Sequence, residues 1–451
     1  MKKLYTALCC LLFAACTSQA QTNLATRIVK DSLFIPWEII WGPDNNIWLT
    51  QKNGYICRLH PTTGVLDTLY HEISTVVQNE GGMLGMALHP AFPTTPYVYV
   101  AYDYNTGPLY RERVVRYTYN GSNALSSPLT LLDNINASSI HNGCRLFIVL
   151  DKLYISTGDA STMSTAQNLA VPNGKIHRIN LDGSIPADNP IPGSSIWSWG
   201  HRNPQGIVYA NGFLYSSEHG PNTDDEINII HKGRNYGWPT VNGFCNTPGE
   251  IQFCTDSNVA EPLIAWTPTL AVCGLDYYNG PMFPGWQGSL IMATLKDAHL
   301  YTLKLNAAKD SITGSSIINK VAFGRLRDIC ISPAGRIYIS TSNSAASGSG
   351  SKIDKIIELY DSTFGTGIVP PLASLPMSIH PNPVADMLEG SYTGADAEYR
   401  ISALDGRLLQ AGKVQSGSFR IPVGKLPAGG YLLQLKTNRD GRMAILPFIR
   451  K

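Results

Sequence analysis

Between positions 200 and 239 the chain gathers side chains suited to holding an anion and a hard cation side by side. GHRNPQG at 200–206 carries Arg202 and Asn203, a guanidinium fork and an amide that can grip a carboxylate or a phosphate. SEHGPNTDDEINIIHKGRNYGWP at 217–239 follows. There Asp225 and Glu226 stand a few residues past a Gly220–Pro221 step whose turn leaves backbone carbonyls free. Carboxylates with carbonyl oxygens are ligands for a hard cation such as calcium. An arginine beside such a cluster suggests an anionic cofactor bridged to the protein by metal.

Further candidates lie elsewhere in the chain. Lys296 in ATLKDAH, with Arg325 and Arg327 in GRLRDICISP, adds fixed positive charge to a region that is otherwise mildly acidic. Alternate residues of a strand face the same side, so Arg325 and Arg327 act as a pair of forks. His141 in SIHNGCRL is neutral near physiological pH and able to accept a proton. Taken alone, a histidine in a polar loop is more often unremarkable than catalytic. Trp266 in AWTPT supplies either an apolar wall or a core residue, and His201 and His219 are weaker candidates, His201 fitting a structural role beside Arg202.

The elements that must position these residues repeat. A short apolar strand, a turn and a second strand occur at 37–50, 84–102, 144–157, 204–217, 275–294 and 327–341. Alternating strands follow at 54–60, 113–119, 174–180, 299–305 and 355–360. Units of several strands at intervals of roughly fifty to seventy-five residues predict a six-bladed β-propeller of four-stranded antiparallel blades. In that fold the first strand of each blade lines the central channel. Glu80 precedes one such strand, His141 the next, Arg202 and Asn203 a third, and Arg325 and Arg327 open a fourth. Polar groups from four blades are thus expected at one mouth of the channel.

These motifs carry a family resemblance. GHRNPQG, EHGPNTDDEIN, KGRNYGWP, NLDGSIPADNP (180–190), LGMALHP (84–90) and GRLRDICISP (324–333) resemble, in order, those of the soluble glucose/sorbosone dehydrogenases that use pyrroloquinoline quinone (PQQ). The likeness spans about residues 30–360. It implies an exported enzyme that oxidises the anomeric hydroxyl of an aldose to a lactone, with PQQ and Ca2+ as cofactors. By that likeness Arg202, Asn203, Lys296, Arg325 and Arg327 hold the quinone, and His141 is the general base, with Arg202 also polarising the quinone oxygen. The carbonyls of Gly220 and Pro221 hold the calcium that touches the quinone. Asp225, Glu226 and the Tyr236 carbonyl build a neighbouring calcium site, while Glu80 and Trp266 face the sugar. The family's glucose-oxidising branch has Asp before the catalytic histidine and Gln near the LLG segment; here Ile140 and Glu80 stand there, and Cys144 replaces a Gly. The sugar is therefore expected to differ from glucose.

Composition sets the outer limits. A chain of 451 residues, 43% hydrophobic, with 41 Gly and 29 Pro, suits a turn-rich all-β protein. A net charge of +2 implies no general affinity for nucleic acid or acidic membranes. Residues 1–20 read as an export signal, with Cys16 leaving an outer-membrane lipoprotein as the alternative. No other segment is long and apolar enough to span a membrane. Cys245 and Cys254 flank a short polar loop, NTPGEIQF, and a disulfide between them is expected in an exported chain. The dehydrogenase domain is assigned to 23–362 and a Pro/Gly-rich linker to 363–376. Residues 377–451 form a small β-sandwich-like unit resembling the type IX secretion sorting domain, so secretion or surface attachment is expected. A sugar, an electron acceptor and the secretion machinery are the expected partners. Two other functions fit parts of the pattern: a propeller that binds without turnover, and a calcium-dependent hydrolase of the lactonase type, which needs carboxylates and amides rather than cations around its channel.

Overall fold

The computed structural model describes residues 23–347, 351–364, 377–403, 408–437 and 443–451. The export segment, Cys16 and most of the linker fall outside the described residues. Among the described residues no helix is long and apolar enough to cross a membrane.

Residues 24–361 form six four-stranded antiparallel sheets. The first strand of each is β1 (Pro36–Trp41), β2 (Met83–Leu88), β3 (Gly143–Val149), β4 (Pro204–Ala210), β5 (Val272–Tyr278) and β6 (Leu326–Ile331). These strands touch one another in cyclic order, β1 to β6 and back to β1. The result is an all-β array around a common axis, consistent with a propeller. Each repeated segment of the sequence supplies the inner two strands of one sheet. The array closes through the chain ends, because Leu24–Leu33 pairs antiparallel with Asp354–Asp361 as the outermost strand of the sixth sheet. Strands such as Ile47–Gln51 and Ile337–Thr341 are buried along their whole length. A sheet covered on both faces has no polar side, so such strands read as unbroken apolar or small-residue runs.

All six inner strands carry a register shift near their start, at Pro36/Glu38, Met83/Met86, Gly143/Leu146, Pro204/Gly206, Val272/Leu275 and Leu326/Asp328. A bulge bends the strand and re-aims its side chains. Neighbouring inner strands also come unusually close at this level. A Cβ on Gly85 would lie 2.2 Å from the Cys144 carbonyl oxygen, and one on Gly206 2.4 Å from that of Cys273. Only glycine admits that approach. Side chains from four sheets meet on the axis as a result. Arg145 pairs with Glu38 at 2.6 Å and Asp328 at 3.0 Å, and its Nε donates to the Gln205 carbonyl at 2.8 Å. This network plugs the channel, and beyond it lies a cavity of about 400 Å3 whose walls include Ile39, Trp41, Leu146 and Ile329.

Two departures from the sequence reading concern short elements. The stretch between the paired cysteines is a helix, Pro248–Asp256, not a loop. Thr247 caps it, accepting from the Glu250 N–H while the Glu250 carboxylate accepts from the Thr247 N–H. Cys254, on that helix, is bonded to Cys245 across a Cα separation of 6.5 Å. The outermost strands of the sheets, Ile264–Trp266 among them, were not distinguished by the repeat pattern.

Residues 377–451 form a three-stranded and a four-stranded antiparallel sheet. Burial alternates along Gly417–Pro422 and Gly429–Thr437, as expected where one face is dry. Leu388 and Phe419 of one sheet and Ile401 and Leu433 of the other share a single apolar cluster.

Arg145→Met leaves Glu38 and Asp328 buried without their cation and is expected to cost about 3–5 kcal/mol of stability. Arg145 lowers the Glu38 carboxyl, so loss of the guanidinium raises it further in the folded state and the deficit should widen as pH rises from about 5 to about 8. Thermal melting across that range checks it; a deficit that stays constant with pH contradicts the assignment.

Candidate active site

The first and second strands of a sheet run antiparallel, so the lead-in to one and the exit from the other lie at the same end. The lead-ins present Glu80, His141, Arg202, Asn203 and Arg325. The exits present Lys52, Asp159, Glu218, His219 and Lys296. Sequence reasoning followed the lead-ins and missed most of the exits, although each directly follows the second strand of a repeat.

His141 has φ +64° at the head of β3. Its Nδ1 meets Asp159 Oδ1 at 2.8 Å. Asp159 is wholly buried and accepts also from the Ser161 N–H at 2.8 Å and the Trp238 indole N–H at 2.9 Å. A carboxylate held this way accepts from Nδ1–H and leaves Nε2 as the free base. The imidazole itself is 13% exposed. The His141 N–H donates to Glu80 Oε2 at 2.9 Å, and Asn203 Nδ2 approaches the same oxygen at 3.5 Å. Burial pushes the Glu80 carboxyl up, but His219, the His141 N–H and Arg327 together outweigh it and hold it below its ordinary value.

Positive charge gathers beside this pair. The Arg202 N–H donates to Glu218 Oε1, its Nη1 donates to the His219 carbonyl at 3.3 Å, and its guanidinium lies 5.3 Å from the Trp238 ring centre. Arg327 Nη1 donates to Gln205 Oε1 at 2.9 Å, and Gln205 Nε2 donates to Asn203 Oδ1 at 2.9 Å. The Arg325 N–H is held by Asn343 at 2.9 Å. Lys52, only 4% exposed, donates to the Asn79 carbonyl; burial first and Arg327 second lower its ammonium to about 8. Burial likewise holds Arg202, Arg325 and His219 below their ordinary values. The Nε atoms of Arg202, Arg325 and Arg327 and the Nε2 of His219 are buried with no partner among the described residues. Such orphaned groups each cost about 1–3 kcal/mol when left dry. A planar polyanion would satisfy them.

Lys296 stands outside that group. It is exposed, and its Nζ donates to Thr269 Oγ1 at 3.2 Å on the lead-in to β5. Trp266 sits on an outermost strand, directly paired with Asp225, and packs half-buried near Tyr301 in an apolar cluster. No described contact joins either residue to the three arginines.

The oxygen-rich loop is arranged in two parts. Asp225 Oδ1 accepts from the Gly220 N–H at 2.9 Å, while Oδ2 accepts from the N–H groups of Ala271 and Val272. Its carboxylate therefore fastens the loop to the next sheet. The Gly220 and Pro221 carbonyls accept no hydrogen bond among the described residues. Glu226, half-buried, accepts from Asn228 and the Gly243 N–H. Burial, and then the charge of Glu218, push its carboxyl up to about 8. Glu218, Glu226, Asp224, Gly220 and Tyr236 line a cavity of about 20 Å3, room for one water or one ion. A carboxyl that resists ionising beside a second carboxylate fits a cation in place of its proton. His201, stacked on Tyr236, is fixed between Ser198 and Glu218 and has a structural place.

Comparison with known proteins gives this geometry a context. Residues 33–350 match the family described as glucose/sorbosone dehydrogenase, and residues 378–444 match the secretion system C-terminal sorting domain. The chain is 31% identical to quinoprotein glucose dehydrogenase B of Acinetobacter calcoaceticus, over 71% of this chain and 85% of that one. It is 30% identical to aldose sugar dehydrogenase YliI of Escherichia coli, over 75% and 95%. The PQQ-bound aldose sugar dehydrogenase of Streptomyces coelicolor superposes with a TM-score of 0.65 at 29% identity, covering 75% of this chain and 99% of that one.

A planar aromatic polycarboxylate is expected to raise the melting temperature of the protein, less so as salt is added. Arg327→Met should weaken that binding at least about tenfold, roughly 1.4 kcal/mol, by titration calorimetry. Equal affinity in the variant contradicts the anion-site assignment.

Proposed function

The chain belongs to the glucose/sorbosone dehydrogenase family, and from that membership we propose that it is an exported quinoprotein oxidising the anomeric hydroxyl of an aldose to a lactone, with PQQ and Ca2+ as cofactors. The observation that carries the reading is the gathering of three guanidinium groups and His219, each with a buried unpartnered nitrogen, beside the His141–Asp159 pair. Arg202, Asn203, Arg325 and Arg327 hold the quinone, with Lys296, exposed beside Thr269, as an outer candidate for the same role. The free carbonyls of Gly220 and Pro221 suit the calcium beside it. Glu226 and the Tyr236 carbonyl suit a second calcium, with Asp225 supporting the loop.

When bound, the quinone supplies a two-electron acceptor for the hydride leaving carbon one of the sugar, and calcium with Arg202 polarises its carbonyl. The protein's own part is proton management and orientation. His141 Nε2 takes the proton of the anomeric hydroxyl. Asp159, fixed by Trp238 and Ser161, sets the tautomer beforehand and stabilises the imidazolium afterwards. Glu80 presents a carboxylate beside His141 where the sugar hydroxyls would lie, and Trp266 remains an outer candidate for the sugar wall.

The six sheets are read as the six blades of a propeller spanning 23–362, joined through a linker at 363–376 to a sandwich-like sorting domain at 377–451. That tail fits export by the type IX machinery and release or surface attachment, after removal of residues 1–20.

The protein loaded with quinone and calcium should reduce a dye in the presence of one or more aldoses. His141→Ala should lower kcat by at least about a hundredfold while the quinone still binds. Bound quinone without turnover on any aldose sinks the assignment. Chelation should lower the melting temperature and added Ca2+ restore it, whereas Glu226→Gln should blunt that response.

A further inference from the structure

Asp103 lies on the second strand of the second sheet, Tyr97–Thr106, and is fully buried. Its Oδ2 accepts three hydrogen bonds: from the Gly82 N–H at 2.9 Å, the Tyr110 hydroxyl at 2.9 Å and Asn142 Nδ2 at 3.1 Å. Gly82 is two residues past Glu80, and Asn142 follows His141. Asn142 also holds Ser138 through both ends of its amide, at 2.8 Å each. The Asp103 N–H donates to the Gly82 carbonyl, and its carbonyl accepts from Val76. One carboxylate oxygen thus fastens together the two segments that carry Glu80 and His141.

Directly opposite on the next strand stands Glu112, also fully buried. Among the described residues neither of its carboxyl oxygens has a nitrogen or oxygen hydrogen-bond partner, nor does Asp103 Oδ1. Two carboxyls facing each other in a dry place do not both ionise. Asp103 has three donors and the Lys52 ammonium nearby to stabilise a charge, whereas Glu112 has only the weak Cys144 thiol.

We infer that Asp103 is a positioning residue for proton transfer at His141, an ionised carboxylate shared by both loops, with Glu112 as the neutral carboxyl that keeps the adjoining proton. The inference rests on the reading of His141 as general base. Burial raises the Asp103 carboxyl to about 7 against the pull of the Gly82 N–H, Tyr110, Lys52 and Asn142. Burial and then Asp103 keep Glu112 well above its usual range. Cys144, from β3, is the remaining titratable group against the pair, and burial followed by Glu112 pushes its thiol up, so it stays neutral.

Two variants in the holoenzyme separate the two carboxyls. Activity requires Asp103 ionised, so its titration contributes an acid limb to kcat. Glu112→Gln keeps a neutral side chain opposite Asp103 and should leave that limb where it is in the wild type. Tyr110→Phe removes a donor to the ionised form and should move it to higher pH by about half a unit or more. Asp103→Asn should lower kcat at least about tenfold with a smaller change in KM.

Melting of the cofactor-free protein reads the pair without turnover. The folded pKa of Asp103 lies above its unfolded value, so the wild type loses stability as pH climbs towards about 7. Glu112 is neutral in the folded protein and ionised in the unfolded chain, so it adds to that loss; Glu112→Gln removes its share, and the melting temperature of the variant relative to wild type should rise between about pH 5 and about pH 8. Coincident acid limbs in both variants overturn the proposal, even if the melting difference grows, because the pair would then exist without governing His141. A melting difference that is flat with pH overturns it as well. Absence of sugar oxidation altogether, with the melting difference present, removes the reading of His141 and the positioning role with it, leaving only the shared proton.

Discussion

Six inner strands must approach one another around an axis more closely than side chains with a Cβ allow, and the site depends on how that crowding is relieved. The relief is a bulge in every inner strand, with glycines such as Gly85 and Gly206 where a neighbour's carbonyl comes nearest. Each bulge turns a side chain from the blade faces towards the axis. Arg145, Gln205 and Arg327 belong to this level, and each contacts groups from sheets other than its own. The channel is therefore sealed by an ion-paired plug, and the polar groups above the plug face one mouth only.

Above the plug the balance is different. Glu38 and Asp328 answer Arg145 from either side, but Arg202, Arg325 and Arg327 keep nitrogens that nothing among the described residues satisfies. Burial penalises Arg202 and Arg325, and Glu80 returns only part of the cost. A cluster of this kind is stable enough to fold because the scaffold is large, and it remains disposed to bind an anion because its donors are fixed in advance. His141 is fixed by the same logic. Its ring is aimed by Asp159 and its backbone by Glu80, and Asp159 is in turn held by Trp238 from the fourth sheet's loops. The base and the anion seat therefore share supports, which ties the orientation of one to the other.

Repetition made much of this legible in the chain itself. Six apolar strand pairs, the motif GHRNPQG and the paired arginines at 325 and 327 identify an all-β array and name several residues that the fold brings together. The cysteine pair was readable from spacing and context, and the Thr247–Glu250 box was present in plain sight yet read as loop. The outermost strands were less visible, since they are short or half-exposed and lack a continuous apolar pattern. Lys296 and Trp266 carry the right chemistry by type, but their places, on an exposed loop and an outer strand, follow from packing that no local pattern encodes.

Spacing and residue type on their own determined that cations and a histidine recur at the lead-ins of inner strands and that calcium-type oxygens gather at 220–226. Only the tertiary structure decided which partners complete them. Asp159 and Glu218 hold residues sixteen or more positions away across one sheet's own hairpin, Lys52 and Asp103 hold residues of a neighbouring sheet's lead-in, and such pairing is a matter of three-dimensional register rather than of local sequence. Whether a carboxylate such as Asp225 points at a cavity or at a backbone N–H is decided by the same register, because a turn of a few degrees in one strand reassigns every donor beside it.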